Sequence, residues 1–93
     1  MAPEGTLRDR FLEELYGLTE GKATNVVRGE ELARRLGVDP EGETDKARFL
    51  GTARRLEEEG FLITNKTGPE VRDYSSLSVT HAGLRAVEED RPA

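Results

Sequence analysis

The spacing of apolar residues changes twice along the second half of this chain, and that change restricts the fold more than any other feature. From Thr44 to Gly60 the apolar residues recur every three or four positions, as on one buried face of a helix. From Phe61 to Val79 they alternate or run together, as in strands, and after Thr80 the helical spacing returns. Helices that precede a β-hairpin, with one more helix after it, indicate an α+β fold.

Length and composition predict one domain. A chain of 93 residues has room for a single core, so we expect one domain over residues 1–93, with disordered tails at 1–5 and 90–93. Hydrophobic residues make up 34% of the chain and stand at periodic positions, which favours folding over disorder. Cysteine is absent, and we find neither a secretory signal nor an apolar run of the roughly 20 residues that a membrane span needs. We therefore expect a cytoplasmic protein.

Three helices are predicted before the hairpin. The first covers residues 7–17, with the hydroxyl of Thr6 as its N-terminal cap. The second runs from Glu30 to Leu36 and ends at Gly37, a residue suited to the left-handed position after a helix. The third is the longest and runs from Thr44 to Gly60.

The connection between the second and third helices admits two interpretations. It is polar from Asp39 to Glu43, which suits a loop. Pro40 could instead begin a helix that Asp39 caps, because proline is favoured in the first helical turn.

The β-prone segments predict a small sheet. Thr24 to Arg28 is expected to form a short edge strand, and Phe61–Thr64 and Tyr74–Val79 are expected to pair as antiparallel strands. The stretch from Asn65 to Asp73 contains a Gly-Pro pair that breaks strand pairing, so we expect a projecting loop. Thr80 then caps a short C-terminal helix.

The third helix is predicted to carry polar side chains away from the core, because its apolar residues share the opposite face. The outward residues are Thr44, Asp45, Arg48, Thr52 and Arg55. An arginine at such a position can bond a guanine edge through two N–H groups or can hold a phosphate. The alternative is that these are ordinary exposed residues of a soluble helix.

Net charge opposes nucleic-acid binding unless the basic residues are concentrated locally. The chain carries 14 basic and 19 acidic residues, a formal net charge of −5. Residues 1–43 contain 6 basic and 10 acidic residues, whereas residues 44–80 contain 6 of each. The half of the chain with the third helix and the hairpin is therefore neutral, which permits a DNA-contacting surface without establishing one.

The order of elements resembles the winged helix-turn-helix domain of small bacterial and archaeal transcription regulators. The closest correspondence lies in EEGFLI followed by SVTHAGLRAVEE, which is similar to the frequent L-x-x-x-G-L-I … L-T-x-x-G ending of these domains. The resemblance implies a three-helix core, a small antiparallel sheet whose loop forms the wing, and a short C-terminal helix. It also implies sequence-specific binding of duplex DNA and a role in transcription regulation.

Specific contacts follow from the resemblance. The third helix would enter the major groove with the outward residues named above, and the wing would place Lys66, Thr67 and Arg72 against the adjacent backbone. Arg28, before the second helix, would contact a phosphate.

Two further expectations concern partners and chemistry. Leu12, Tyr16, Leu84 and Val87 either complete the small core or form a homodimer interface, and an acidic protein of this class could alternatively be a protein–protein interaction module without DNA affinity. The only histidine is His81 and there is no cysteine, so we expect no enzyme activity, no metal site and no cofactor.

Overall fold

Four α-helices and one two-stranded antiparallel sheet make up the fold, so the α+β class expected from the sequence is confirmed. The computed structural model describes the backbone of residues 3–90 and the side chains of residues 7–89. The helices are α1 (Pro3–Leu18), α2 (Gly29–Leu36), α3 (Glu43–Glu58) and α4 (His81–Asp90). The strands are β1 (Leu62–Lys66) and β2 (Tyr74–Val79). No helix within residues 3–90 has the length and apolar character needed to cross a bilayer.

Helix α1 is longer than predicted. It begins at Pro3, so Thr6 lies inside the helix and the prediction that it caps the N-terminus is wrong. Proline is well suited to the first helical position because its missing N–H has no partner there in any case. The expected disordered tail at 1–5 is therefore helical from residue 3 onward, and α4 likewise continues to Asp90. The other residues of the two expected tails, 1–2 and 91–93, lie outside the described residues.

Helix α2 ends as the sequence predicted. Gly37 has a φ of 75°, and its N–H group donates to the carbonyl of Arg34 at 3.2 Å. The N–H group of Val38 donates to the carbonyl of Ala33 at 2.9 Å, which satisfies a second carbonyl of the last turn.

A turn, rather than an early start of α3, connects the two helices. Asp39 accepts the N–H group of Glu41 through its side chain at 2.9 Å and that of Gly42 through its carbonyl at 3.1 Å. The N–H group of Asp39 in turn donates to the carboxylate of Asp45 at 3.1 Å. The alternative in which Pro40 begins a helix is wrong, because Asp39 folds the backbone into a turn instead.

The hairpin pairs β1 with β2 from Leu62↔Val79 to Lys66↔Tyr74, with an irregularity between Asn65 and Lys66. The predicted edge strand at Thr24–Arg28 is reduced to one bridge, Val27↔Leu77. Both backbone bonds of that bridge are present, at 2.8 and 2.7 Å, so this segment still covers one edge of β2.

The hairpin loop, residues 67–73, does not project from the molecule as expected. It folds back so that Val71, the first residue of a short 3₁₀ helix, is fully buried. The backbone approaches α2 so closely that a Cβ atom at Gly29 would lie 2.2 Å from the carbonyl oxygen of Val71. Glycine at the start of α2 therefore permits the close contact, and a buried valine fixes the loop to the core.

The core joins α1, α3 and the sheet through three aromatic rings. The Phe11 and Phe49 ring centroids are 5.1 Å apart, and Phe49 meets Tyr74 edge-on at 6.0 Å. Helix α4 packs beside them and begins as predicted, because Thr80 Oγ1 accepts the N–H group of Gly83 at 3.1 Å. The core thus holds one face of α3 and leaves its opposite face to solvent.

Candidate nucleic-acid interface

The outward face of α3 is the best-formed candidate site. Phe49, Ala53 and Leu56 are fully buried, which turns the opposite side of the helix away from the core. That side carries exposed Thr44, Arg48, Gly51 and Arg55 together with half-buried Thr52. These positions recur at three- and four-residue intervals and therefore form one stripe along the helix. The structure brings four of the five helix residues predicted from the sequence onto this stripe.

Arg48 and Arg55 have no carboxylate partner among the side chains that the structure describes. Among residues 7–89, neither guanidinium takes part in an ion pair or a hydrogen bond. Two other cations on the same helix do form ion pairs: Arg54 with Glu58 at 3.6 Å and Lys46 with Glu70 at 3.9 Å. The two arginines on the outward stripe are thus available to an anionic partner.

The fifth predicted residue, Asp45, has a structural role. It is half-buried, and its carboxylate accepts the N–H group of Asp39 in the turn before α3. This bond connects the start of α3 to the turn that precedes it. The contact of Asp45 with DNA stays a prediction, with one of its carboxylate oxygens engaged by the turn.

An open cleft of about 660 Å³ runs along the outward stripe. The beginning of α1, at Leu7 and Arg8, forms its second wall. The residues that line the cleft come from α1 and α3 and are Leu7, Arg8, Glu43, Thr44, Ala47, Arg48, Gly51, Thr52 and Arg55. Arg8 is held in place by Glu59 at 2.7 Å and lies over the ring of Phe61 at 5.6 Å. The cleft therefore combines the paired guanidinium of Arg8, the exposed guanidinium groups of Arg48 and Arg55, and a small apolar surface.

The hairpin loop presents its cations less freely than the sequence suggested. Arg72 pairs with Glu70 and, at 3.7 Å, with Glu41 in the turn before α3. Its hydrogen bond to Glu70, followed by the charges of Glu70 and Glu41, raises the pKa of Arg72 above its ordinary value. A phosphate would have to compete with two carboxylates for this side chain.

The other two predicted loop residues are exposed, but each has an internal contact. The ammonium group of Lys66 lies 5.3 Å from the centre of the Tyr74 ring, and Thr67 Oγ1 donates to the carbonyl of Asp73 at 3.1 Å. Lys66 keeps its charge available to solvent, since an aromatic ring does not neutralise it.

Sequence reasoning missed the ion pairs that connect the hairpin loop to the helix-turn-helix segment. Glu70 meets both Arg72 and Lys46, and Arg72 also meets Glu41. These residues lie in three separate elements, so no spacing rule could have brought them together. The one available signal was that the hairpin loop and the turn before α3 both contain charged residues, with acidic and basic side chains mixed in the hairpin loop.

Arg28 occupies the position predicted for it. It is exposed, adopts an extended conformation and directly precedes α2. Within residues 7–89 its guanidinium forms no ion pair.

The residues considered for a homodimer interface mostly belong to the core. Leu12, Leu84 and Val87 are only 5%, 8% and 6% exposed within a single chain. Tyr16 is half-buried, and its hydroxyl donates to Glu88 at 3.0 Å, which connects α1 to α4. A dimer would therefore need a different surface from the one these side chains form.

Tyr74 is a titratable residue whose pKa is shifted by its position in the core. Burial, assisted by the negative charge of Glu57, raises the pKa of its phenol above the ordinary value near 10, and Arg54 partly offsets this. Because the neutral phenol is the form that the core accommodates, deprotonation of Tyr74 opposes folding.

Comparisons of the chain with protein-family models, with curated proteins and with solved structures give no match. What the protein does therefore has to be inferred from the geometry and chemistry of its own residues.

Proposed function

We propose that this protein is a winged helix-turn-helix regulator of transcription that binds duplex DNA sequence-specifically. In this proposal α3 enters the major groove and the hairpin loop, acting as the wing, lies on the adjacent backbone. The observation that supports it most strongly is that Arg48 and Arg55 are exposed on one side of α3 and have no ion-pair partner among the side chains of residues 7–89. Such side chains are suited to phosphates and guanine edges.

The spacing of the two arginines fits a duplex. They stand seven positions apart, so they share one side of the helix and are separated by about 10.5 Å along its axis. That distance corresponds to about three base pairs of B-DNA at about 3.4 Å each. Gly51, which has open space where a Cβ would lie, keeps the surface between them low enough for close approach.

The acidic net charge is compatible with this proposal because the excess carboxylates are distributed over other surfaces. Glu13 on α1, Glu31 on α2 and Glu89 on α4 are exposed, and each lies outside the lining of the α3 cleft. Since phosphate contacts supply most non-specific affinity, we expect weak non-specific binding with a shallow salt dependence. Affinity would then depend on a few base contacts.

The wing cations and Arg28 are assigned different roles. Lys66 and Arg28 are the cations with available charge, so they are proposed to contact the DNA backbone. Arg72 is engaged by Glu70 and Glu41 and is proposed to hold the loop in position. Arg72→Ala should consequently flatten the salt dependence less than Lys66→Ala.

A homodimer is also part of the proposal. Two copies would reach successive major grooves about 34 Å apart, which would compensate for the weak affinity of one half-site. The mass in solution, measured by sedimentation with and without DNA, tests this directly.

A protein–protein interaction module is the second candidate, and one observation favours it. Val26 and Ile63 are the two exposed large hydrophobic residues among residues 7–89, at 65% and 60%. Ile63 pairs with Ser78 in the hairpin, and the bridge at Val27 places Val26 on the other side of the same serine. Val26 and Ile63 therefore lie on either side of Ser78, on the same outer face of the sheet.

Fluorescence anisotropy with a labelled duplex distinguishes the two candidates. The protein is titrated against a mixed-sequence duplex at about 50 and about 200 mM salt, a range over which phosphate contacts lose much of their effect. The wild type should bind, and Arg48→Gln should weaken binding by about 1–3 kcal/mol if Arg48 contacts a base. Arg55→Gln should weaken binding as well.

Arg85→Gln is the matched control because Arg85 is an exposed arginine on α4 and the change in net charge is identical. If Arg85→Gln weakens binding as much as Arg48→Gln, only net charge matters and the assigned interface is wrong. Absence of binding at the lower salt concentration, together with a partner that requires Val26 and Ile63, would favour the interaction module.

A further inference from the structure

The cleft between α1 and α3 has the dimensions of a small-molecule site. Its volume of about 660 Å³ lies within the range of about 300–1,000 Å³ that is typical of ligand pockets. Such a volume exceeds what a single phosphate needs, so the size favours a ligand with an organic body.

The lining specifies the chemistry of that ligand. Half-buried Leu7, together with exposed Ala47 and Gly51, provides a low apolar surface. Arg48 and Arg55 supply two guanidinium groups without partners among residues 7–89, whereas Glu43 is the one carboxylate among the described lining residues. An apolar surface beside exposed arginines suits an organic anion whose flat or aliphatic body packs on that surface and whose acidic group meets an arginine.

We propose that the cleft binds a small organic anion, a carboxylate or sulfonate with an apolar body, and that this ligand competes with DNA. The competition rests on the DNA-binding function proposed above, because it uses the same two arginines. An anion held by Arg48 and Arg55 places negative charge where a phosphate would lie and fills the space that the groove wall would occupy. Ligand and duplex therefore exclude one another, which makes the ligand an effector.

The experiment uses 8-anilinonaphthalene-1-sulfonate, an aromatic sulfonate whose fluorescence increases in apolar surroundings. Its binding is measured with the wild type and with Gly51→Leu, which places a large side chain in the cleft. The Cβ atom of that side chain meets nothing within 4 Å, so the backbone of α3 has no need to move. Gly17→Leu is the matched control, because a Cβ at Gly17 also meets nothing within 4 Å. Circular dichroism and melting curves establish that all variants are folded.

We expect saturable binding at one site, at least a tenfold loss in Gly51→Leu, a several-fold loss in Arg55→Gln and no change in Gly17→Leu. Unchanged binding in Gly51→Leu, or binding that depends only on partial unfolding, would overturn the proposed site. Addition of unlabelled duplex should release the probe from the wild type.

The outcomes separate this proposal from the function on which it rests. Cleft-dependent probe binding in a protein that binds no duplex would support the ligand site and refute the DNA-binding function. Duplex binding through Arg48 without any probe binding would support the DNA-binding function and refute the ligand site. If both bind and neither displaces the other, the competition is refuted.

Discussion

Replacement of Val71 by alanine tests the least expected feature of the fold, the hairpin loop that packs against the core. Val71 is fully buried, and the change removes two methyl groups. At about 0.8 kcal/mol for each buried carbon, with about 1 kcal/mol for the remaining cavity, unfolding free energy should fall by about 2–3 kcal/mol. In a domain with about 5–10 kcal/mol of stability, the variant should still fold.

Urea denaturation followed by circular dichroism measures this effect. With an m-value of about 1.5 kcal/mol/M, the midpoint should decrease by about 1.5 M. Val26→Ala is the matched control, since it removes the same atoms from a side chain that is 65% exposed and should change stability by less than about 0.5 kcal/mol. Equal and small effects of the two substitutions would mean that the loop projects into solvent, and the account of the hairpin would be refuted.

Three further predictions concern the backbone and the core. Gly83→Ala should destabilise strongly, because its Cβ would lie 2.2 Å from the carbonyl oxygen of Phe61. Gly51→Ala should stabilise by about 0.5–1 kcal/mol, since its Cβ meets nothing within 4 Å and alanine favours the helix. A lower urea midpoint for Gly51→Ala than for Gly83→Ala would contradict the packing of α4. Thr80→Ala should cost about 1 kcal/mol and speed amide exchange in the first turn of α4, and unchanged exchange there would rule out the cap. In Tyr16→Phe, ultraviolet absorbance should show Tyr74 ionising above pH 10. Because the pKa of Tyr74 is raised in the folded state, the contribution of its neutral phenol to stability should be complete below pH 10 and be lost as the pH rises further. A midpoint of the absorbance titration at or below pH 10 would argue against the burial of Tyr74.

Much of the fold could be predicted because local chemistry determines it. The left-handed Gly37, the cap at Thr80 and the buried face of α3 each depend on residues within a few positions of one another. The start of α1 was misjudged because the apolar stripe begins at Leu7, although Pro3 can begin a helix earlier. Apolar spacing reports the buried part of a helix and not its exposed first turn.

Contacts between distant segments could not be predicted. Val71 follows a Gly-Pro pair in a polar stretch, where one valine carries no periodic signal, and only tertiary structure shows that it packs against Gly29. The same limitation applies to the candidate site. Periodicity identified the outward stripe of α3. The pairing of Arg72 with Glu41, and the absence of a partner for Arg48 among residues 7–89, depend instead on how separate segments meet.

The central claim is that the outward stripe of α3 contacts duplex DNA, and an amide-resolved NMR titration tests it most directly. A ¹⁵N-labelled sample is titrated with a mixed-sequence duplex at low salt. The account predicts that the amide signals of Arg48, Thr52 and Arg55 shift together while that of Arg85 does not. Shifts confined to the sheet around Ile63, or no shifts at all, would contradict it.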